Sequence, residues 1–377
     1  MAPAEPGGAA EADLGARHRR PHWFLLSALA LAVAACLIAL ATGVLNSVSA
    51  PAAPPVVADG GTGVVRVLAS TGQVRAGPVF FELNGIADGL GGLWVTGGVA
   101  KQNHILSEVN PATGRLVGQV ELPSRLVINP NDIAVGSNAI WAAVGASVYR
   151  VEPGSALLGG VETSAFAALP PGDIAGDLVV DAGALWASDT ANGKVYRFAV
   201  STGRLEAVIG VGPTAGAMAV GDGGVWVADP DARTVSRISV TSNRVDSVLT
   251  FPSAPSHIAA SDNGLWVTAG TGSVAAALNS DHGRILTVPV APELTGLAAV
   301  GDTVWVASTA NGTLSRIDAV RHVVVATVRV GTRPYAVAAD RQGAWVALLG
   351  QPVMMHAQSG PSSAQLPAWL LRLCGGG

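Results

Sequence analysis

The sequence predicts an all-β fold: a seven-bladed β-propeller preceded by one N-terminal transmembrane helix. Two observations carry the propeller and a third carries the helix. Seven of nine tryptophans, Trp94, Trp141, Trp186, Trp226, Trp266, Trp305 and Trp345, recur at intervals of 47, 45, 40, 40, 39 and 40 residues. Eight positions ahead of each stands an apolar residue: Ile86, Ile133, Leu178, Met218, Ile258, Leu297 and Val337. Residues 23–45 form an uncharged apolar run of 23 residues.

Between each apolar residue and its tryptophan lies a turn-forming patch such as GDGG (221–224) or SDNG (261–264), so the unit reads strand, tight turn, strand. Most units continue across a polar turn with a third and a fourth strand, as in TVSRISVTSNRVDSVLTF (234–251). Four strands in about 40 residues is the periodicity of propeller blades. A helical repeat would need apolar residues at i, i+3 and i+4, whereas these segments alternate or run apolar for a few residues between Gly, Asp and Asn. A large ring at one fixed place in each blade fills the wedge between neighbours, so the tryptophans read as structural. Residues 64–83 look like a third and fourth strand with no Trp unit before them. They are expected to complete the blade begun by Trp345, closing the ring and removing sheet edges.

Composition fits this reading. The chain has 377 residues, 47 Gly and 23 Pro for frequent turns, 49% hydrophobic and only 13% charged residues, and a mean hydropathy of +0.43. The net charge is −4 and Lys101 and Lys194 are the only lysines. With no basic stripe outside the N-terminus, a nucleic-acid partner is disfavoured. Cys36 and Cys374 are too far apart in context to bridge each other, and they offer no metal-ligand spacing.

The apolar run suffices to cross the ~30 Å hydrocarbon core as a helix. Arg17, Arg19 and Arg20 precede it and the next cation is Arg66, so the positive-inside rule places the N-terminus in the cytoplasm and the rest outside. The expected organisation is a polar tail at 1–22, the signal-anchor helix at 23–45, a Pro- and Gly-rich linker at 46–63, the propeller at 64–358 and a C-terminal tail at 359–377. Cleavage after a signal sequence, and lipidation at Cys36 in VAAC, are the competing readings of the N-terminus. All three put the main domain on the outer side, in the cell membrane's extracytoplasmic compartment.

IAVGDGGVWVADPDARTVSRISV and RVGTRPYAVAADRQGAWVA resemble the YVTN-repeat β-propellers of bacterial surface and periplasmic proteins, and the wider group that includes virginiamycin B lyase. The resemblance spans about residues 64–350. It implies the fold and little about activity, because propellers host binding, scaffolding and catalysis alike. The lyase-like sequences repeat Leu-Trp-Phe-Thr-Glu and use His, Glu and a bound magnesium. Here Val or Ala follows most of the tryptophans, no Glu stands third after any, and only His257 in PSHIAASDNGLWV is similar to the catalytic-histidine context.

Chemistry in a propeller is expected at the mouth of the central channel. The residues just before the repeated apolar positions are Gly85, Asp132, Asp177, Ala217, His257, Gly296 and Ala336. Those third after each tryptophan are Gly97, Val144, Asp189, Asp229, Ala269, Ser308 and Leu348. One sector therefore gathers Asp132, Asp177, Asp189, Asp229 and His257 as candidate ligand-binding residues, suited to a cation or an amine. The competing role for each Asp is to cap a turn. Arg197, Arg237 and Arg316, each 11 residues after a tryptophan, and Arg150 in a similar place, read as blade-to-blade bonds or a solvated outer face. No complete catalytic constellation and no cofactor motif is present. The sequence thus favours a non-enzymatic module holding a ligand, a cell-envelope component or a partner protein; a metal-assisted lyase or hydrolase built on His257 and the aspartates is the alternative.

Overall fold

The seven tryptophan strands are antiparallel to the strands on either side, and the register explains why tryptophan fits there. Directly opposite it on the inner strand stands a small residue: Ala87, Ala134, Val179, Ala219, Ala259, Ala298 and Ala338 face Trp94 to Trp345 in turn. Opposite it on the third strand stands Arg150, Arg197, Arg237, Arg316 or Arg66 in five of the seven. The inner strands crowd toward the axis and can host only a small neighbour. Further out, the aliphatic stem of an arginine can lie over the ring while its head reaches polar groups.

A computed structural model describes residues 62–80, 82–99, 102–122, 132–153, 165–181, 183–269, 274–279 and 284–349. They contain 28 strands in seven four-stranded antiparallel sheets arranged as a β-propeller, and no helix. Six sheets take their strands in chain order. The remaining one joins the two ends: Pro334–Asp340 and Gly343–Leu348 supply its first two strands, and Thr62–Leu68 and Val74–Phe80 its last two. Gly63 lies opposite Leu348, Arg66 opposite Trp345 and Leu68 opposite Gly343. The latch expected for residues 64–83 is therefore formed, its first strand starting at Thr62.

Packing repeats the same joint around the ring. Each innermost strand touches the innermost strands of both neighbouring sheets, the last (Pro334–Asp340) meeting the first complete one (Glu82–Gly89). The core is divided among seven clusters, each holding one tryptophan against the next sheet. Trp186, for example, lies with Met218, Val225 and Val227, and Trp345 with Leu83, Leu93 and Val95. Burying an indole is worth about 4–6 kcal/mol at the usual area coefficient. Seven such wedges hold sheets that share no strand.

The arginines divide the work. Arg197 Nη1 donates to the Val240 carbonyl at 2.8 Å and Asn243 Oδ1 at 2.6 Å, and Arg316 to the Ala69 carbonyl, each reaching the next sheet. Arg237 instead bonds Asp246 and the Asp222 carbonyl within its own sheet, and Arg66 bonds Asp340 in the closing sheet. Arg150 pairs with Glu152. Two arginines are thus inter-sheet ties and three are not.

Among the described residues no helix is long and apolar enough to cross a membrane. The expected span at 23–45, its flanking segments at 1–22 and 46–61, Cys36, the tail at 359–377 and Cys374 all lie outside them.

Candidate functional site at the channel mouth

The first strand of five of the seven sheets carries a conformational device before its repeated apolar residue. The pairing register slips between Leu83 and Gly85, Ala175 and Leu178, Pro255 and His257, Leu294 and Gly296, and Pro334 and Ala336. Such bulges bend a strand and re-aim the side chains around the extra residue. Here they turn residues at the strand entrance toward the axis, where all seven innermost strands surround a cavity of about 690 Å³. Every position just ahead of the repeated apolar residue lines it, from Gly85 to Ala336. A second cavity of about 520 Å³ lies at the opposite strand ends, beside the Trp226 sheet, and draws on fewer sheets.

Three of the five sequence-derived candidates, Asp132, Asp177 and His257, come together in the mouth. Asp132 Oδ2 accepts from the Leu178 N–H at 2.8 Å, reaching the neighbouring sheet. Asp177 repeats the pattern one sheet on: Oδ1 accepts from its neighbour Leu178 at 2.9 Å and Oδ2 from the Met218 N–H. Burial, foremost, and then the charge and hydrogen bond of Asp177 lift Asp132 well above the usual carboxylate range, against the pull of the Leu178 and Ile133 N–H groups.

His257 stands two sheets further round. Its N–H donates to Thr268 Oγ1 at 3.1 Å, and its Nδ1 lies 3.2 Å from the same hydroxyl. Ser256 Oγ shares that partner at 2.9 Å. Burial pushes the imidazole below its ordinary value, and the charge of Asp177 offsets this only in part. The ring is neutral at pH 7.

Asp189 and Asp229 do not belong to the mouth, and the expectation that they line it is corrected. Both end a tryptophan strand, and both turn into the following loop. Asp189 accepts from the Ala191 N–H at 3.1 Å and Asn192 Nδ2 at 2.9 Å, beside a buried knot in which Tyr196 donates to Asp173 and Lys194 lies 3.6 Å away. Asp229 accepts from Thr214 Oγ1 at 2.7 Å and the Ala232 N–H at 2.9 Å. The strand carrying each Asp is second from the axis, so its end meets a turn rather than the channel. Among the described residues no group of three His, Cys, Asp or Glu side chains could hold a metal ion. The set His257, Asp229 and Asp189 needed for metal-assisted chemistry is not assembled.

Sequence reasoning missed the residues one step further out: Asn84, Ser256, Thr295 and Tyr335 also line the cavity. They occupy the bulge, two positions ahead of the repeated apolar residue, and that fixed offset is the signal that could have found them. Thr295 Oγ1 donates to the Pro334 carbonyl at 2.6 Å, tying two sheets at the rim, while Tyr335 is 41% exposed and free to meet a ligand.

No known family model and no curated protein sequence matches this chain. Its architecture is shared widely, with 1443 solved chains matching it. One is a chain of Kuenenia stuttgartiensis hydrazine synthase, at a TM-score of 0.58 and 11% identity, covering 75% of this chain and 99% of that one. At that identity the likeness is one of fold, a β-propeller, and carries no activity across.

Proposed function

We propose that the chain is a seven-bladed propeller held on the outer side of a cell membrane by a single N-terminal span, and that it binds a small ligand or the end of a partner chain in the mouth of its central channel. The observation that carries the binding reading is the convergence of all seven innermost strands on one open cavity of about 690 Å³, lined by Asp132, Asp177 and His257, by the polar side chains of Asn84, Ser256, Thr295 and Tyr335, and by small or apolar residues. A concave site of this size with polar groups at fixed places among apolar side chains can orient a ligand. The orientation rests on the cation asymmetry around residues 23–45.

A thermal-shift screen of the purified chain against fragments and divalent cations tests the binding reading. The expected result is a set of fragments that raise the melting temperature of the native chain but not of Ala217→Trp, whose indole would fill the mouth. Fragments that stabilise both proteins equally would remove the mouth as the site. A strong shift with Mg2+ or Ca2+ would revive the metal-assisted lyase or hydrolase. The topology has its own assay: a reporter fused after Gly377 that is active only in the cytoplasm would refute it.

A further inference from the structure

We infer that the mouth recognises an organic ammonium group next to a carbonyl, as found at the amino terminus of a peptide, with an apolar side chain lodged beside it. This rests on the mouth-binding reading and gives it a ligand class.

Three observations converge. The first is charge without a counter-ion. Among the described residues no Lys or Arg lines the cavity, so no side-chain cation there balances Asp132 and Asp177. An uncompensated buried charge is costly, and a ligand cation would relieve that cost. The acceptors are also aimed. Leu178 and Met218 N–H groups occupy Asp132 Oδ2 and both Asp177 oxygens. Asp132 Oδ1 sits 3.6 Å from where a Cβ on Gly85 would lie, on the side of the wall toward the Asn84 strand.

The second observation is independent of the acids. Asn84 lines the same cavity, and its amide nitrogen is buried without an acceptor. A buried donor left unpaired costs roughly 1–3 kcal/mol, so a ligand oxygen placed there gains what the protein alone forgoes. Asn84 and Asp132 belong to neighbouring sheets, with Gly85 and Ile133 in contact range between them. A ligand carrying a cation donor beside a carbonyl acceptor offers a partner to each. A metal ion satisfies Asp132 but leaves Asn84 Nδ2 facing a like-signed partner.

The third is the remaining wall. Ile133, Leu178, Met218 and Ile258 present apolar surface around the pair. It suits a ligand whose ammonium is attached to an aliphatic body, and it excludes a fully hydrated cation. His257, neutral and on the far side of Asp177, adds no positive charge to repel an ammonium.

Isothermal titration of the full chain with L-leucinamide and with N-acetyl-L-leucinamide tests this. The expected result is measurable binding of L-leucinamide. The acetylated probe, which lacks the cation, should bind roughly ten- to hundredfold more weakly, the worth of a charge-assisted hydrogen bond. Asp132→Asn and Asn84→Ala should each weaken L-leucinamide. Comparing the two probes on the unmodified chain keeps the test valid if a variant misfolds. Equal affinity for both probes, or no binding of either, would overturn the ammonium assignment. If other fragments still bind and Ala217→Trp abolishes them, the mouth-binding reading stands without it; if Ala217→Trp affects nothing that binds, that reading fails as well.

Discussion

Asp88→Asn is expected to make the protein more stable at neutral pH and to leave it unchanged in acid. Asp88 ends the first strand of the Trp94 sheet, against the sheet that joins the two ends of the ring. Burial, foremost, and the negative charge of Asp340 push its carboxyl from 3.8 up to about 6, while Arg66 pulls the other way. Asp340 is itself committed to Arg66 at 2.6 Å and to the N–H groups of Gln342 and Gly343 at 2.8 and 2.9 Å, so it cannot relieve Asp88. A carboxyl whose value is raised in the folded state binds its proton more tightly there than in the unfolded chain. The stability it contributes is full below about pH 4 and is lost as pH rises through about 6. The rise corresponds to about 3 kcal/mol, and partial exposure of Asp88 trims this to about 1–2 kcal/mol. Asparagine has the shape without the charge. Urea unfolding followed by tryptophan fluorescence, at intervals from pH 4 to pH 8, should show the two proteins together near pH 4 and the variant ahead by about 1–2 kcal/mol at pH 7.5. A difference that stays flat across that range, or a variant less stable at pH 7.5, would refute the reasoning.

Arg66→Met should loosen the ring at its latch. It removes the bond to Asp340 and the guanidinium lying 5.2 Å from the Trp345 ring, and with the Asp340 side chain 24% exposed the cost is about 2–3 kcal/mol, larger at pH 7.5 than at pH 5 because Arg66 also restrains Asp88. Urea unfolding at both pH values measures it. The His257 imidazole should titrate below the ordinary histidine value in an NMR pH series, and Asp177→Asn should lower it further by removing the carboxylate that favours the charged ring. Gly212→Ala should cost at least about 2 kcal/mol in the same unfolding assay, since its Cβ would fall on Asp229 Oδ2 at φ 155°; a neutral result would show that Asp229 can leave its turn freely.

The site was partly legible because it sits on the same period as the tryptophans. Counting eight residues back from each tryptophan and one more reached the channel wall in every sheet, since an antiparallel pair with a short turn fixes that offset. Counting three forward from Trp186 and Trp226 reached Asp189 and Asp229, but a strand end says nothing about whether its side chain faces the axis or the loop. The hydrogen bonds from the Ala191 and Ala232 N–H groups settled that. The bulges that bring Asn84, Ser256 and Tyr335 to the wall were equally hidden, because an extra residue in a strand leaves no mark in composition.

The sequence alone determined the repeat, the strand-turn-strand unit, the tryptophan wedges and the need for residues 64–83 to finish the sheet begun by Trp345. Those follow from local rules: turn chemistry, alternation, and a large ring at a constant place. Tertiary structure alone decided which arginines tie neighbouring sheets and which aspartates meet at the mouth. Each of these depends on groups 40 or more residues apart in the chain, as Asp132 and the Leu178 N–H are 46 apart, and only ring closure brings them within hydrogen-bonding distance.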